Sequence, residues 1–202
     1  MEEKYIILVD NTQNLEKAYM TPKLIKVLET AFTVQIISSM HHAADLIRDK
    51  HRCSQIKGVV LSGGPLCLSD EPAIERYYIN TTILSNFGHL PVLGICFGFQ
   101  IMAVLHGSSI TRLSVPNSSM LKVNKYNNGI LTTNMPDIFS AKHQHNDYIT
   151  RIPPGFEMTL MTNDGMITGI ENKHLRRFGF QFHPEATEET HPLIKSFMDV
   201  CS

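Results

Sequence analysis

A single cysteine set between two glycines, Gly94-Ile95-Cys96-Phe97-Gly98-Phe99-Gln100, follows the apolar run Pro91-Val92-Leu93. A strand feeding a sharp turn and then a helix would present such a thiol at the tip of the turn. The helix N-terminus favours the thiolate, which is the nucleophilic form. Glycines two residues to either side allow tight dihedrals and close approach of neighbouring backbone. The same device exposes the serine of the nucleophile elbow in α/β hydrolases. Taken alone, the motif is equally compatible with a buried structural cysteine.

A base is available far downstream, in Gln181-Phe182-His183-Pro184-Glu185. Pro184 biases His183 toward extended backbone, where residues two apart point to one side. His183 and Glu185 can then lie together, with the carboxylate accepting the imidazole N–H and setting its tautomer, as in a nucleophile-base-carboxylate triad. The attacked carbonyl needs donors aimed at its developing charge. Phe97 N–H, next after the cysteine, is one candidate. Gly64 N–H in the turn Ser62-Gly63-Gly64-Pro65 is another.

The elements that must hold these groups alternate in the first half of the chain. Apolar or β-branched runs at 5–9, 33–37, 58–61 and 92–95 read as strands. Helical patterns cover 20–30 (Thr21 as N-cap, Pro22 in the first turn), 43–50, 74–87 and 98–105. This alternation predicts a parallel sheet with helices on both faces. The second half reads as short strands at 121–123, 130–132, 156–161, 166–170 and 178–182. Asn127-Asn128-Gly129 and Asn163-Asp164-Gly165 mark turns, the second a hairpin. A helix over 188–200 closes the chain, with Thr187 as its N-cap. The fold class expected is α/β: one domain over 1–202, a central, mostly parallel sheet flanked by helices, and a nucleophile elbow.

Composition excludes several functions. The chain has 202 residues, 43% hydrophobic and 18% charged, which suits one globular domain with a sizeable core. A net charge of −1 makes no electrostatic case for nucleic acid or an anionic membrane. No apolar run approaches the roughly 20 residues of a membrane helix, and the apolar run after Met1-Glu2-Glu3-Lys4 is too short for a signal peptide. Cys53, Cys67, Cys96 and Cys201 form no Cys-x-x-Cys pair, so no zinc site is indicated, and free thiols in the cytoplasm are expected. His41-His42 reads as a helix start. His143-x-His145 could chelate a metal, but a substrate loop is the preferred reading, with His145 a minor alternative to His183 as base. Arg176-Arg177 reads as a solvated turn. No metal and no cofactor are expected.

The three motifs, in this order and over essentially the whole chain from Tyr5, resemble the class I (triad-type) glutamine amidotransferases, which have a flavodoxin-like α/β fold. The resemblance implies Cys96 as nucleophile, His183 as base, Glu185 as its partner, and Gly64 and Phe97 as the oxyanion hole. It implies that Gln100 helps hold glutamine, and that Gln144-His145-Asn146-Asp147 meets the amino-acid end of that substrate. Within the family, His145-Asn146-Asp147, Ile152-Pro153-Pro154-Gly155-Phe156 and His183-Pro184-Glu185-Ala186-Thr187 run most like the glutaminase part of GMP synthases. Two stretches depart from that pattern. Val9-Asp10-Asn11-Thr12 lacks an Asp-Phe-Gly-type turn. Residues 112–120 lack an Arg-Glu-Phe/Tyr-Gly motif, and Ser108 replaces the second glycine of a usual pair. The activity implied is release of ammonia from glutamine through a γ-glutamyl thioester. No Gly-x-x-x-x-Gly-Lys-Ser/Thr loop is present, so the ammonia would serve a separate synthetase, such as the ATP-pyrophosphatase subunit of a GMP synthase. The alternatives are a stand-alone γ-glutamyl hydrolase and a non-catalytic regulatory or binding module on the same fold.

Overall fold

The computed structural model describes residues 3–12, 18–68, 70 and 73–202. Of the segments read from sequence, Met1 and Glu2 at the head of the N-terminal run lie outside the described residues.

Five strands form the parallel half of one nine-stranded sheet: β1 (Tyr5–Val9), β2 (Thr33–Ile37), β3 (Ile56–Leu61), β4 (Val92–Ile95) and, from near the C-terminus, β11 (Arg177–Phe180). Their order is β2-β1-β3-β4-β11. The sheet continues beyond β11 as an antiparallel extension: β10 (Ile167–Asn172), β9 (Glu157–Thr162), β6 (Met120–Lys125) and β7 (Ile138–Lys142). A separate antiparallel pair joins β5 (Ile110–Asn117) to β8 (His145–Ile149).

The apolar runs are continuous because both faces of the parallel strands are covered. On β1, Ile6 and Leu8 face one cluster with Leu24, Val27 and Leu28 of α1 (Met20–Leu28) and Leu193, Ile194 and Phe197 of α6 (His191–Cys201). Ile7 and Val9 face the other. There they meet Ala43 and Leu46 of α2 (Met40–Arg48), Ile79, Ile83 and Phe87 of α4 (Ile74–Phe87), and Phe99 and Met102 of α5 (Phe97–Leu105). A short α3 (Lys50–Gln55) lies between α2 and β3. Among the described residues no helix is long and apolar enough to cross a membrane.

Several local expectations are corrected. Residues 130–132 form a turn, not a strand. Gly129 N–H donates to Thr132 Oγ1 at 2.9 Å and Ile130 N–H to the buried Glu171 carboxylate at 2.8 Å. The turn drops Leu131 and Met135 into the core, and the run Ile130-Leu131-Thr132 imitated a strand. Strands β5, β7 and β8 were not anticipated, because their mixed polar sequences show no clean alternation. Thr21 does not cap α1. Tyr19 occupies the cap position without a side-chain bond, and Thr21 is buried inside the first turn. The second helix starts earlier, where Ser39 Oγ accepts from His42 N–H at 3.2 Å. Thr187 makes no capping bond. It begins a single 3-10 turn, Glu188–Thr190, ahead of α6.

The 163–165 turn does close a hairpin, between β9 and β10, with Gly165 at φ +88°. Of Arg176-Arg177, Arg176 is exposed in a turn as expected, but Arg177 is not solvated. Arg177 is buried and donates to the carbonyls of Leu90 (2.9 Å), Leu175 (2.7 Å) and Gly88, while Arg176 reaches His89 O at 3.0 Å. Two arginines thus clamp the loop between α4 and β4 from the start of β11.

Candidate active site

β4 and β11 are neighbours in the sheet, with Leu93 opposite Phe178 and Ile95 opposite Phe180. Cys96 and His183 follow the carboxyl ends of these two strands. The position is where sites gather in open α/β sheets.

Cys96 has φ +50° and ψ −106°, a region L-residues avoid, and it caps α5. Three backbone bonds hold it there. Cys96 N–H donates to Phe180 O at 2.8 Å, Gly98 N–H to Ser62 O at 3.1 Å, and Gln100 N–H to Cys96 O at 3.0 Å. Gly98 must be glycine because a Cβ there would run into the Leu61 carbonyl. One at Gly94 would lie 2.7 Å from Phe99 Cα. The glycines therefore serve the packing of β3, β4 and α5 as much as the turn.

His183 and Glu185 meet as the extended His-Pro-Glu segment predicts: Nδ1 lies 2.8 Å from Oε1, and both side chains are buried. A carboxylate only accepts, so Nδ1–H donates and Nε2 is left for chemistry. Burial alone would lower the His183 pKa. The Glu185 charge, reinforced by the Cys96 sulfur, outweighs it and raises the value well above 6.5. His183 N–H is tied to Lys142 O at 2.8 Å, which anchors the residue to β7.

The turn Ser62-Gly63-Gly64-Pro65 faces both groups. A Cβ at Gly63 would lie 2.7 Å from His183 Cε1 and 3.5 Å from Cys96 Cβ. Asn11, directly after β1, braces this turn. Its N–H donates to Ser62 Oγ at 2.9 Å and its Nδ2 to Ser62 O at 2.8 Å, and Asn80 Nδ2 donates to Asn11 Oδ1 at 2.6 Å. Phe97 N–H and Gly64 N–H have no hydrogen-bond partner among the described residues. Both residues line a cavity of about 660 Å³ that also includes Cys96, His183 and Gly63.

All four residues of the expected substrate segment line the same cavity, as does Gln100. His145, Asn146 and Asp147 open β8, and Gln144 lies just before it. The Cys96 thiol points to Gln144 O at 3.5 Å. Gln100 Nε2 donates to Asp147 O at 2.7 Å and approaches Gln181 Oε1 at 3.3 Å, so its amide nitrogen is engaged within the protein. Asn146 Nδ2 lies 3.3 Å from Cys67 Sγ. The buried Asp147 carboxylate pairs with Arg112 Nε of β5 at 3.3 Å, and Arg112 also reaches Asp70 at 2.9 Å.

His145 has both ring nitrogens occupied, Nδ1 by Asp147 O at 3.0 Å and Nε2 by His143 Nδ1 at 3.1 Å. Burial pushes its pKa down to about 4 and that of His143 to about 3. Neither geometry nor charge suits His145 as the base. His143 and His145 pair with each other instead of presenting a chelate.

Gln181 and Asn11 were missed as site residues. Gln181, two before His183 and therefore on the same side, brings Nε2 to 4.0 Å from Cys96 Sγ. Asn11 had one available signal, a polar residue directly after the carboxyl end of an apolar strand.

A doubly wound sheet carrying a cysteine elbow and a His-Glu pair defines a class of hydrolytic fold. Residues 11–200 match the family model for glutamine amidotransferase class-I, and the chain belongs to that family. It is 32% identical over 149 residues to one subunit of the glutamine-hydrolysing GMP synthase of Methanocaldococcus jannaschii, covering 73% of this chain and 75% of that protein. It is 30% identical over 154 residues to the glutamine-hydrolysing GMP synthase of Petrotoga mobilis, covering 74% of this chain but only 29% of that protein. The chain thus spans less than a third of the longer relative. A Thermoplasma acidophilum structure, described provisionally as that of a GMP synthase subunit, superposes with a TM-score of 0.82 at 23% identity. The match covers 100% of this chain and 95% of that one, which is a likeness of fold.

Proposed function

We propose that this chain hydrolyses glutamine to glutamate and ammonia at Cys96, and that the ammonia is used by a separate synthetase chain. One observation carries the reading. The thiol at the elbow, the His183–Glu185 pair and two unpartnered backbone N–H groups converge on one cavity.

The Cys96 thiolate attacks the side-chain carbonyl carbon of glutamine. Phe97 N–H and Gly64 N–H receive the oxyanion, a contribution of about 3 kcal/mol per donor in comparable sites. His183 Nε2–H gives its proton to the departing nitrogen, the C–N bond breaks, and ammonia leaves a γ-glutamyl thioester. His183 then takes a proton from water as the oxygen attacks. The C–S bond breaks, glutamate departs and the thiolate returns. Proton transfer of this kind contributes roughly 10²–10⁴-fold. Glu185 keeps Nδ1–H fixed throughout, so that Nε2 always faces the reacting atoms.

The acceptor side draws support from relatives. The Methanocaldococcus jannaschii protein is named as one subunit of its synthase, and the Petrotoga mobilis synthase extends far beyond the matched region. The ATP-pyrophosphatase subunit of a GMP synthase is the partner that fits these names.

The deciding experiment is a glutaminase assay on Cys96→Ala beside labelling of the wild type with a glutamine-analogue electrophile. Activity should vanish in the variant, and the label should sit on Cys96. Unchanged turnover in Cys96→Ala would end the proposal. Adding the synthetase partner should raise wild-type turnover, and no change would remove the coupling to it.

A further inference from the structure

A line of hydrogen bonds leaves the Cys96 sulfur and returns to it. Gln181 Nε2 lies 4.0 Å from Sγ, and Gln181 Oε1 faces Gln100 Nε2 at 3.3 Å. Gln100 Nε2 donates to Asp147 O at 2.7 Å, and the same carbonyl lies 3.0 Å from His145 Nδ1. His145 Nε2 meets His143 Nδ1 at 3.1 Å. The peptide between these two histidines carries Gln144 O, which faces the thiol at 3.5 Å.

The direction of each bond follows from what the groups can do. A carbonyl only accepts, so His145 Nδ1 carries the proton. A neutral imidazole has one N–H, so His145 Nε2 is a bare acceptor and His143 Nδ1 must donate to it. Burial keeps both rings neutral. His143 Nε2 is then a bare lone pair, buried and without a partner among the described residues. A buried ring that leaves one nitrogen unsatisfied is costly unless its other nitrogen has a task.

We infer that His143 is a positioning residue for Cys96: its Nδ1–H satisfies His145 Nε2 and fixes that ring in place, and the locked pair sets where Gln144 O stands against the Cys96 sulfur. Asp147 O keeps the proton on His145 Nδ1, so without the His143 donor His145 Nε2 becomes a buried bare acceptor, and the ring and the start of β8 would have to shift to find another donor. Gln144, His145, Asn146 and Asp147 all line the cavity, so the shift reaches Sγ and the substrate space together. His143 touches neither substrate nor Sγ.

The inference rests on Cys96 being the nucleophile, and its test keeps the two separate. His143→Phe keeps the ring and removes both the donor and the orphan acceptor, so the fold should tolerate it. His143→Asn places an amide N–H near the Nδ1 position and should rescue. Nitrogen NMR on wild type should show His145 in the Nδ1–H form with Nε2 hydrogen-bonded, and His143→Phe should move the Nε2 shift to that of a bare acceptor while His143→Asn keeps it bonded. Glutaminase kcat/KM should fall by about tenfold in His143→Phe, the worth of roughly one buried hydrogen bond, and by less than about threefold in His143→Asn, while alkylation of Cys96 by iodoacetamide should depart from the wild-type rate in His143→Phe, rising as Gln144 O no longer holds the S–H form, and stay within about threefold of it in His143→Asn. An Nε2–H tautomer of His145 in wild type overturns the inference. So do equal alkylation rates in the two variants, whether both high or both low. A wild type without glutaminase activity overturns the proposed function, while tautomer and alkylation still decide the role of His143.

Discussion

Replacing Glu185 with Gln isolates the charge of the His183–Glu185 pair, since the amide oxygen can still accept from Nδ1–H. Across the observed 2.8 Å, a unit charge pair at an effective dielectric of 20 attracts by about 6 kcal/mol. Desolvation of the buried imidazolium offsets much of this, and charge-assisted bonds exceed neutral ones by about 1–1.5 kcal/mol net. The variant therefore lowers the raised pKa of His183. A second cost is independent of pH. Glu185 Oε2 is buried with no hydrogen-bond partner among the described residues. An amide NH₂ placed there is an orphan donor, costing about 1–3 kcal/mol.

The sign of the pH dependence follows from the raised pKa of His183. A group whose folded-state pKa exceeds its unfolded value stabilises fully below the unfolded pKa, near 6.5, and loses that contribution as pH rises through the folded value. Glu185→Gln removes this low-pH stabilisation. Its Tm deficit should be largest at about pH 6, of the order of 4–8 °C for about 2 kcal/mol in a chain this size, and should shrink toward pH 9. Thermal unfolding followed by circular dichroism at both pH values measures it. Glutaminase kcat/KM should fall about ten- to hundredfold in parallel. A Tm deficit that is flat with pH, or larger at pH 9, would refute the electrostatic reasoning.

Gly63→Ala would set a Cβ 2.7 Å from His183 Cε1. The ring must move by a few tenths of an ångström, and kcat/KM should fall about tenfold or more while Tm changes little, checked by steady-state glutaminase kinetics. Arg177→Met removes donors from the carbonyls of Gly88, Leu90 and Leu175. Urea unfolding should show a loss of about 2–4 kcal/mol, with activity per folded molecule retained.

The parallel half of the fold was legible because its strands are buried on both faces and read as unbroken apolar runs, Tyr5–Val9 most clearly. The elbow was legible for the same reason that it works: Gly94 and Gly98 have no room for a side chain. The antiparallel half was harder. β7 and β8 carry Ser140, Lys142, His145, Asn146 and Asp147, polar residues whose burial depends on partners distant in sequence. No periodicity records that Asp147 will meet Arg112, or that His143 will meet His145. Arg177, the second of the Arg176-Arg177 pair, misled for a related reason. A pair of arginines beside a strand reads as solvated unless the carbonyls of residues 88–90, on another element, are known to converge on it. Turn 130–132 misled because an apolar pair dropped into a core looks the same from a strand or from a turn.

The adjacency of β4 and β11 has a bearing on synthesis. The thiol is made first, and the imidazole beside it arrives 87 residues later (183 − 96), just beyond a strand that closes against β4. Pairings this distant in sequence are slow to form, since the intervening loop must be closed first. A nascent chain exposing Cys96 therefore carries the thiol without its imidazole neighbour. On the proposed function, hydrolysis, and the free ammonia that comes with it, would begin only once β11 is seated.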